Sequence, residues 1–152
     1  MADAGRPVLI HFLAIVKYDH MPDYPVQFMA KGRMYSAPNG RVELKYTESQ
    51  PDEATGEIIS SDITMTLGND DVTMVRIGEF SNTMAFSRNQ RYEGVYTTPY
   101  GEFNLSVFTR ELRMKKEPGR GSVHLNYQLS IQGNVSSSHE LHLEYYDETI
   151  AE

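Results

Sequence analysis

The chain has 152 residues, a formal net charge of −7 and no cysteine. A chain of this length buries about two thirds of its unfolded surface, so we expect one domain over 1–152 with its core at about 8–147. The lack of cysteine excludes a disulfide framework, a zinc–thiolate site and a thiol nucleophile, and the acidic charge argues against a broad DNA- or RNA-binding surface.

The first apolar segment, Val8–Val16, is the candidate for a targeting or membrane segment. It has about half the length that a membrane span needs. His11 interrupts it, and Lys17-Tyr18-Asp19-His20 follows where a signal peptide would have small residues before its cleavage site. We therefore predict a first strand and no membrane span, and the lack of cysteine fits a reducing cytosol.

Clusters of Gly, Pro, Asn and Asp recur along the chain and separate short β-rich segments. They predict strands at 8–18, 25–36, 41–48, 58–67, 71–78, 82–87, 91–97, 102–114, 122–132 and 139–147. A helical turn over Ser81–Gln90 is the one alternative to this all-strand assignment. Many short strands between regular turns predict an all-β antiparallel meander.

The clearest alternation lies in the last predicted hairpin, Ser122–Asp147. Odd positions from Val123 to Ile131 and from Leu141 to Tyr145 are apolar, whereas the even positions between them are mostly polar. Successive side chains of a strand point to opposite faces, so one face of the hairpin is buried and the other is solvated. Placing Gln128 opposite His142 satisfies both faces, and we predict that register.

About ten strands cannot remain one open twisted sheet without curling or splitting. A closed or nearly closed barrel and a two-sheet sandwich are the two economical solutions. Closure also removes the exposed strand edges that promote aggregation.

Five segments, taken in order, carry a family resemblance. They are a glycine-containing second strand (Phe28–Tyr35), the strand Val42–Glu48, Ile77-Gly78, the element Tyr96–Gly101, and a closing hairpin with Tyr127 and Glu144-Tyr145. In this order they resemble the YwiB-like family of small bacterial proteins. The resemblance covers roughly 8–147 and implies a calycin- or lipocalin-like β-barrel of about 8–10 strands, a bacterial source and a cytoplasmic location. The family is functionally uncharacterised, so the resemblance assigns no catalytic residue.

Aromatic and methionine side chains exceed what a small β core needs. Tyrosine gives a cavity both apolar area and a hydroxyl, methionine adapts to irregular ligands, and barrels of about eight or more strands can enclose a ligand. We therefore predict a non-enzymatic barrel that binds a small, partly apolar or amphipathic molecule, with no cofactor. The predicted ligand-binding residues are Tyr35, Tyr46, Tyr96, Phe103, Tyr127 and Tyr145. The alternative is that these side chains fill the barrel.

The segment 110–120 contains the densest basic cluster: Arg110, Arg113, Lys115, Lys116 and Arg120. Because the strand before it is long, we expect this hairpin tip to project beyond the barrel. A basic tip on an acidic protein can bind an RNA backbone or an acidic partner, so a protein or RNA interaction module is the alternative function. A solvated ribbon end is the simpler interpretation.

Catalysis is the third hypothesis and would use His124, His142 or Glu144. Imidazole and carboxylate groups suit zinc or iron, but the loose spacing of these three favours a solvated polar face, so we predict no metal site. The sequence has no nucleophile elbow, Walker loop or dinucleotide fingerprint. An exposed first or last strand leaves homodimer formation open.

Overall fold

The structure is a computed structural model that describes residues 5–17, 24–51, 55–133 and 135–148. Its ten strands are β1 (Arg6–Lys17), β2 (Tyr24–Ser36), β3 (Val42–Pro51), β4 (Ile58–Leu67), β5 (Asp71–Gly78), β6 (Asn82–Ser87), β7 (Arg91–Thr98), β8 (Gly101–Glu117), β9 (Arg120–Ile131) and β10 (Val135–Asp147), with a 3-10 turn at Pro38–Gly40. Each predicted strand corresponds to one of these, although the predicted end of the first, residue 18, lies outside the described ranges. The helical alternative at Ser81–Gln90 is wrong, because Asn82–Ser87 forms β6.

The strands follow the chain around a nearly closed antiparallel barrel. The order in the sheet is β6-β5-β4-β3-β2-β1-β10-β9-β8-β7, so the first and last strands pair with each other. The two sheet edges, β6 and β7, are joined by a bridge in which Ser81 and Thr97 exchange backbone hydrogen bonds of 2.8 and 2.9 Å. This arrangement confirms the predicted all-β barrel and excludes the sandwich.

The two ends of the barrel differ in packing. The packed end is where β2, β4, β6, β8 and β10 finish, and the cavity end is where β1, β3, β5, β7 and β9 finish. The large side chains with less than 2% exposure lie in the middle and towards the packed end: Tyr145, Phe86, Ile10, Leu44, Ile63, Met65, Leu67, Leu125, Leu143, Val8, Val72 and Val107. Inward-facing residues at the cavity end, such as Phe12, Leu129 and Ile131, are partly exposed. The hydrophobic core therefore fills one half of the barrel more completely than the other.

The register of the last hairpin differs from the prediction. Gln128 lies opposite Ser138, and His124 lies opposite His142. The predicted pairing of Gln128 with His142 is wrong by four residues, because the chain reverses sooner after Ile131, through Gln132 and Gly133 at φ of 56° and 70°. An even shift keeps every side chain on its face, so the predicted assignment of buried and solvated faces holds.

The basic hairpin tip packs against the packed end of the barrel. The Lys116 ammonium donates hydrogen bonds to the carbonyls of Gly40 and Gly68, at 2.8 and 2.7 Å. The register of β8 against β9 shifts between Thr109 and Glu111, and a β-bulge of this kind bends a strand. The expectation of a projecting tip is therefore wrong, because Lys116 ties the end of β8 to the connections before β3 and β5.

Because Gly121 has no side chain, β9 can lie close to both neighbouring strands, β8 and β10. A Cβ atom at this position would collide with the ring and hydroxyl of Tyr145 and lie 2.6 Å from the Lys115 carbonyl oxygen. Because Tyr145 is 1% exposed, it has little room to move. We expect Gly121→Ala to lower the free energy of unfolding by about 1–3 kcal/mol, measured by urea denaturation. Ser122→Ala at the neighbouring outward position is the control; an equal, small effect of both would contradict this packing.

Candidate ligand-binding site

A cavity of about 360 Å³ opens among the inward-facing residues at the cavity end. Its apolar lining consists of Ile59, Phe80, Met84, Leu105, Leu129 and Ile131. Its polar lining consists of Glu48, Ser61, Arg76, Asn82 and Tyr96. An apolar wall with a few convergent polar groups is the usual composition of a small-molecule site.

Arg76 and Glu48 form a bidentate ion pair inside the cavity. Arg76 reaches from β5 across β4, and its two terminal nitrogens lie 3.2 and 3.4 Å from the two carboxylate oxygens of Glu48 on β3. Each side chain is 20% exposed. This geometry fixes both groups and makes the pair electrically neutral as a unit.

The amide oxygen of Asn82 has no hydrogen-bond partner. Among the described residues, the buried side-chain atoms without a partner are this Oδ1 atom and the Oγ1 atom of Thr109. Asn82 lines the cavity, whereas Thr109 does not. An unpartnered buried acceptor costs about 1–3 kcal/mol, so a donor that reached this oxygen would be stabilising.

Three tyrosines lie within the electrostatic influence of Arg76. Burial raises the pKa of Tyr127 to about 12, and the Arg76 charge partly opposes this. Burial, followed by the Glu48 charge, raises the pKa of Tyr46. Burial also raises the pKa of Tyr96, whose ring packs 6.2 Å from that of Phe80. These hydroxyls therefore stay protonated near neutral pH.

A larger groove of about 580 Å³ lies on the outer wall formed by β7, β8 and β9. Its lining is mainly polar and includes Arg91, Asn104 and Gln132. These side chains are exposed, so a molecule in the groove would exchange little water for apolar contact. The smaller cavity inside the barrel is therefore the better candidate site.

Comparisons with known proteins identify the family but no function. A family model described as a domain of unknown function, DUF1934, matches residues 10–143. The chain belongs to this family. A solved structure, the ywiB protein from Bacillus subtilis, is similar over 93% of this chain and 92% of that chain, with a TM-score of 0.77 and 16% identity. These findings confirm the predicted YwiB-like family and its barrel fold.

The comparisons assign no function to this DUF1934 member. At 16% identity, the likeness to the ywiB protein shows the fold alone. No curated protein matches the chain. In the ranges that the structure describes, no helix has the length and apolar character needed to cross a membrane. The function of this family member must therefore be argued from its cavity.

The six predicted ligand-binding residues lie in different parts of the barrel. Tyr96 lines the cavity and pairs across strands with Phe103, while Tyr46 and Tyr127 are buried on the inward face. Tyr145 is buried near Gly121 at the packed end. Tyr35 is on the outer face, with the Lys45 ammonium 5.4 Å from its ring centroid.

Arg76, Glu48 and Asn82 were not among the predicted site residues. The alternation contains a signal for two of them. Glu48 continues the inward phase of Leu44 and Tyr46, and Arg76 continues that of Val72 and Met74. A charged residue in the buried phase at the end of a strand is therefore the sequence feature that marks this cavity.

Of the five predicted interaction residues, four are exposed and Lys116 is partly buried. Lys116 is bonded to backbone carbonyls at the packed end, whereas Arg110, Arg113 and Lys115 are exposed. The exposed Arg120 stacks over Tyr146, 5.8 Å from its ring centroid. An interaction role for this segment stays a prediction.

The polar outer face of the last hairpin brings the three catalytic candidates together. The rings of His124 and His142 are 6.0 Å apart, and His142 Nε2 lies 3.2 Å from Glu144 Oε1. The Tyr146 hydroxyl donates to the other Glu144 oxygen at 2.7 Å. This bond and the one to His142 lower the pKa of Glu144. In the described ranges, which exclude His20, no group of three potential metal ligands is found.

His139 lies on the inward face and is largely shielded from water. Its ring stacks on Tyr127 at 4.9 Å, and Nε2 is 2.8 Å from the Ser137 hydroxyl. Burial lowers the pKa of His139, so the fold favours the neutral imidazole.

We expect this histidine to make stability depend on pH. Because its pKa is lower in the folded than in the unfolded protein, its contribution is complete above about pH 6.5 and declines as the pH falls towards the folded-state pKa. The measurement is the free energy of unfolding of wild type and His139→Gln between pH 8 and pH 5. The loss on acidification should be smaller in the variant, and equal losses would contradict the prediction.

Proposed function

We propose that this DUF1934 member is a non-enzymatic binding protein that takes a small, partly apolar molecule into the cavity. The supporting observation is the unequal packing of the barrel. One half is filled by fully buried side chains, whereas the other retains about 360 Å³ with both apolar and polar lining. A cavity with an ion pair and an unpartnered amide oxygen suits an amphipathic ligand better than a dry, purely apolar one.

The calycin-like character and the cytoplasmic location belong to the same proposal. A nearly closed barrel whose first and last strands pair, with one end packed, has the shape in which calycins hold ligands. The cysteine-free chain suits a reducing compartment. Native mass spectrometry of freshly purified protein, before and after denaturation, tests whether a small molecule is retained.

A direct binding test uses N-phenyl-1-naphthylamine, a neutral fluorescent probe that brightens in apolar surroundings. We expect saturable binding at one site. Leu129→Trp places an indole in the cavity wall and should weaken binding at least tenfold, whereas Gln128→Trp places the same group on the outer face. Equal binding by both variants, or fluorescence that never saturates, would contradict the proposed function.

A further inference from the structure

We propose that the ligand carries an uncharged polar group that it presents to the polar lining of the cavity. This group has an N–H donor next to a hydrogen-bond acceptor, as in a primary amide or a lactam. This inference rests on the proposed function. The hydrogen-bonding groups of the cavity lining that lack a partner indicate the chemistry of the ligand.

The charges in the cavity lining favour a neutral ligand. Arg76 and Glu48 neutralise each other through two contacts, at 3.2 and 3.4 Å. An anionic ligand would either displace Glu48 or bind the remaining N–H groups of Arg76 beside the Glu48 charge, which repels it, and a cationic ligand on Glu48 would displace Arg76. Either displacement leaves a carboxylate or guanidinium group, only 20% exposed here, without its partner, which is unfavourable. The cavity therefore favours a neutral ligand.

The cavity lining also has hydrogen-bonding groups that lack a partner. Asn82 Oδ1 is an acceptor without a donor, and rotation about the last bond of its side chain can turn this oxygen towards the cavity. Arg76 has five N–H groups, more than its two contacts with Glu48 require, and the protonated Tyr96 hydroxyl is a further donor. A ligand edge that both donates and accepts matches this set.

The apolar lining of the cavity indicates the shape and polarity of the rest of the ligand. Phe80 and Tyr96 present ring surfaces inclined by 35°, and Leu105, Leu129 and Ile131 add aliphatic surface. Aromatic walls of this kind favour a flat, apolar body attached to the polar edge. A volume of about 360 Å³ accommodates a molecule of two fused rings.

Four naphthalenes with the same apolar body and different groups at the 2-position test the inference. They are 2-naphthamide, 2-naphthoate, 2-naphthylmethylammonium and 2-ethylnaphthalene. We expect wild-type protein to bind 2-naphthamide at least tenfold more tightly than each of the other three. The comparison uses one protein, so it does not depend on the folding of a variant.

Asn82→Leu should remove the preference for 2-naphthamide over 2-ethylnaphthalene and leave the binding of 2-ethylnaphthalene within about threefold of wild type. Asn104→Leu, on the exposed outer face, is the matched control and should keep the preference. Circular dichroism establishes that both variants are folded. If Asn82→Leu does not fold, the wild-type comparison decides alone.

The outcomes separate this inference from the proposed function. Tightest binding of the carboxylate or the ammonium, or equal binding of the amide and 2-ethylnaphthalene, would overturn the inference and leave the cavity as a binding site. If the protein binds N-phenyl-1-naphthylamine but does not prefer 2-naphthamide over the other naphthalenes, the inference is likewise overturned and the cavity remains a binding site. If neither that probe nor any of the four naphthalenes binds, the proposed function fails and the inference fails with it.

Discussion

Leu125→Asp is expected to destabilise the protein by several kcal/mol, on the order of a third or more of the stability of a typical domain. Leu125 is 0% exposed and lies opposite Leu141 on β10 and Leu112 on β8. These neighbours are buried and apolar, so a carboxylate in their midst would have neither water nor a cation to stabilise it. The measurement is the free energy of unfolding from urea denaturation, followed by far-ultraviolet circular dichroism.

Gln128→Glu is the matched control, because it changes the net charge by the same amount on the same strand. Gln128 is on the outer, partly exposed face, opposite Ser138 and Phe108, where a carboxylate keeps its hydration. We expect this variant to differ from wild type by less than about 0.5 kcal/mol. A folded Leu125→Asp protein with wild-type stability would overturn the assignment of the inner face.

The inner and outer faces of the last hairpin could be predicted from sequence because the alternation of side chains is a local property. Leu125 and Leu143 are buried, as their phase predicts. The register could not be predicted, because it depends on Gln132 adopting a φ of 56°, a conformation that glutamine rarely adopts. The depth of burial is also not local. Leu129 shares the phase of Leu125 but is only partly buried, since it lies in the cavity wall.

The candidate site was harder to predict than the fold, for a related reason. Residue type singled out the tyrosines, yet Tyr35 is in the outward phase of β2 and Tyr145 is at the packed end. Which end of a barrel is filled depends on the packing of side chains from strands that are distant in sequence, so no single segment reveals it. The charged residues Glu48 and Arg76 in the inward phase mark the cavity more directly than the tyrosines do.

Arg76→Met alone is expected to destabilise the protein more than the double variant Arg76→Met/Glu48→Gln. The single change leaves the Glu48 carboxylate, 20% exposed, without the two hydrogen bonds that it accepts from Arg76. We expect a loss of about 1–3 kcal/mol, because an unpartnered, mostly buried charge costs more than the absence of the whole pair. Glu48→Gln in the same background removes the charge and should restore part of the loss, and urea denaturation of the four proteins in this cycle gives the coupling energy.

The exposed ion pair between Lys17 and Glu140 is the control for this cycle. Its atoms are 3.1 Å apart, similar to the distances in the cavity, but the side chains are 42% and 36% exposed. Water and salt screen such a pair, so we expect its coupling energy to be under about 0.5 kcal/mol. Equal coupling energies for the two pairs would mean that the cavity does not shield Arg76 and Glu48 from water. A charged ligand would then not be disfavoured by the cost of breaking this pair. A clearly larger coupling energy at Arg76 and Glu48 would show that any ligand that displaces either partner does so at a cost in free energy.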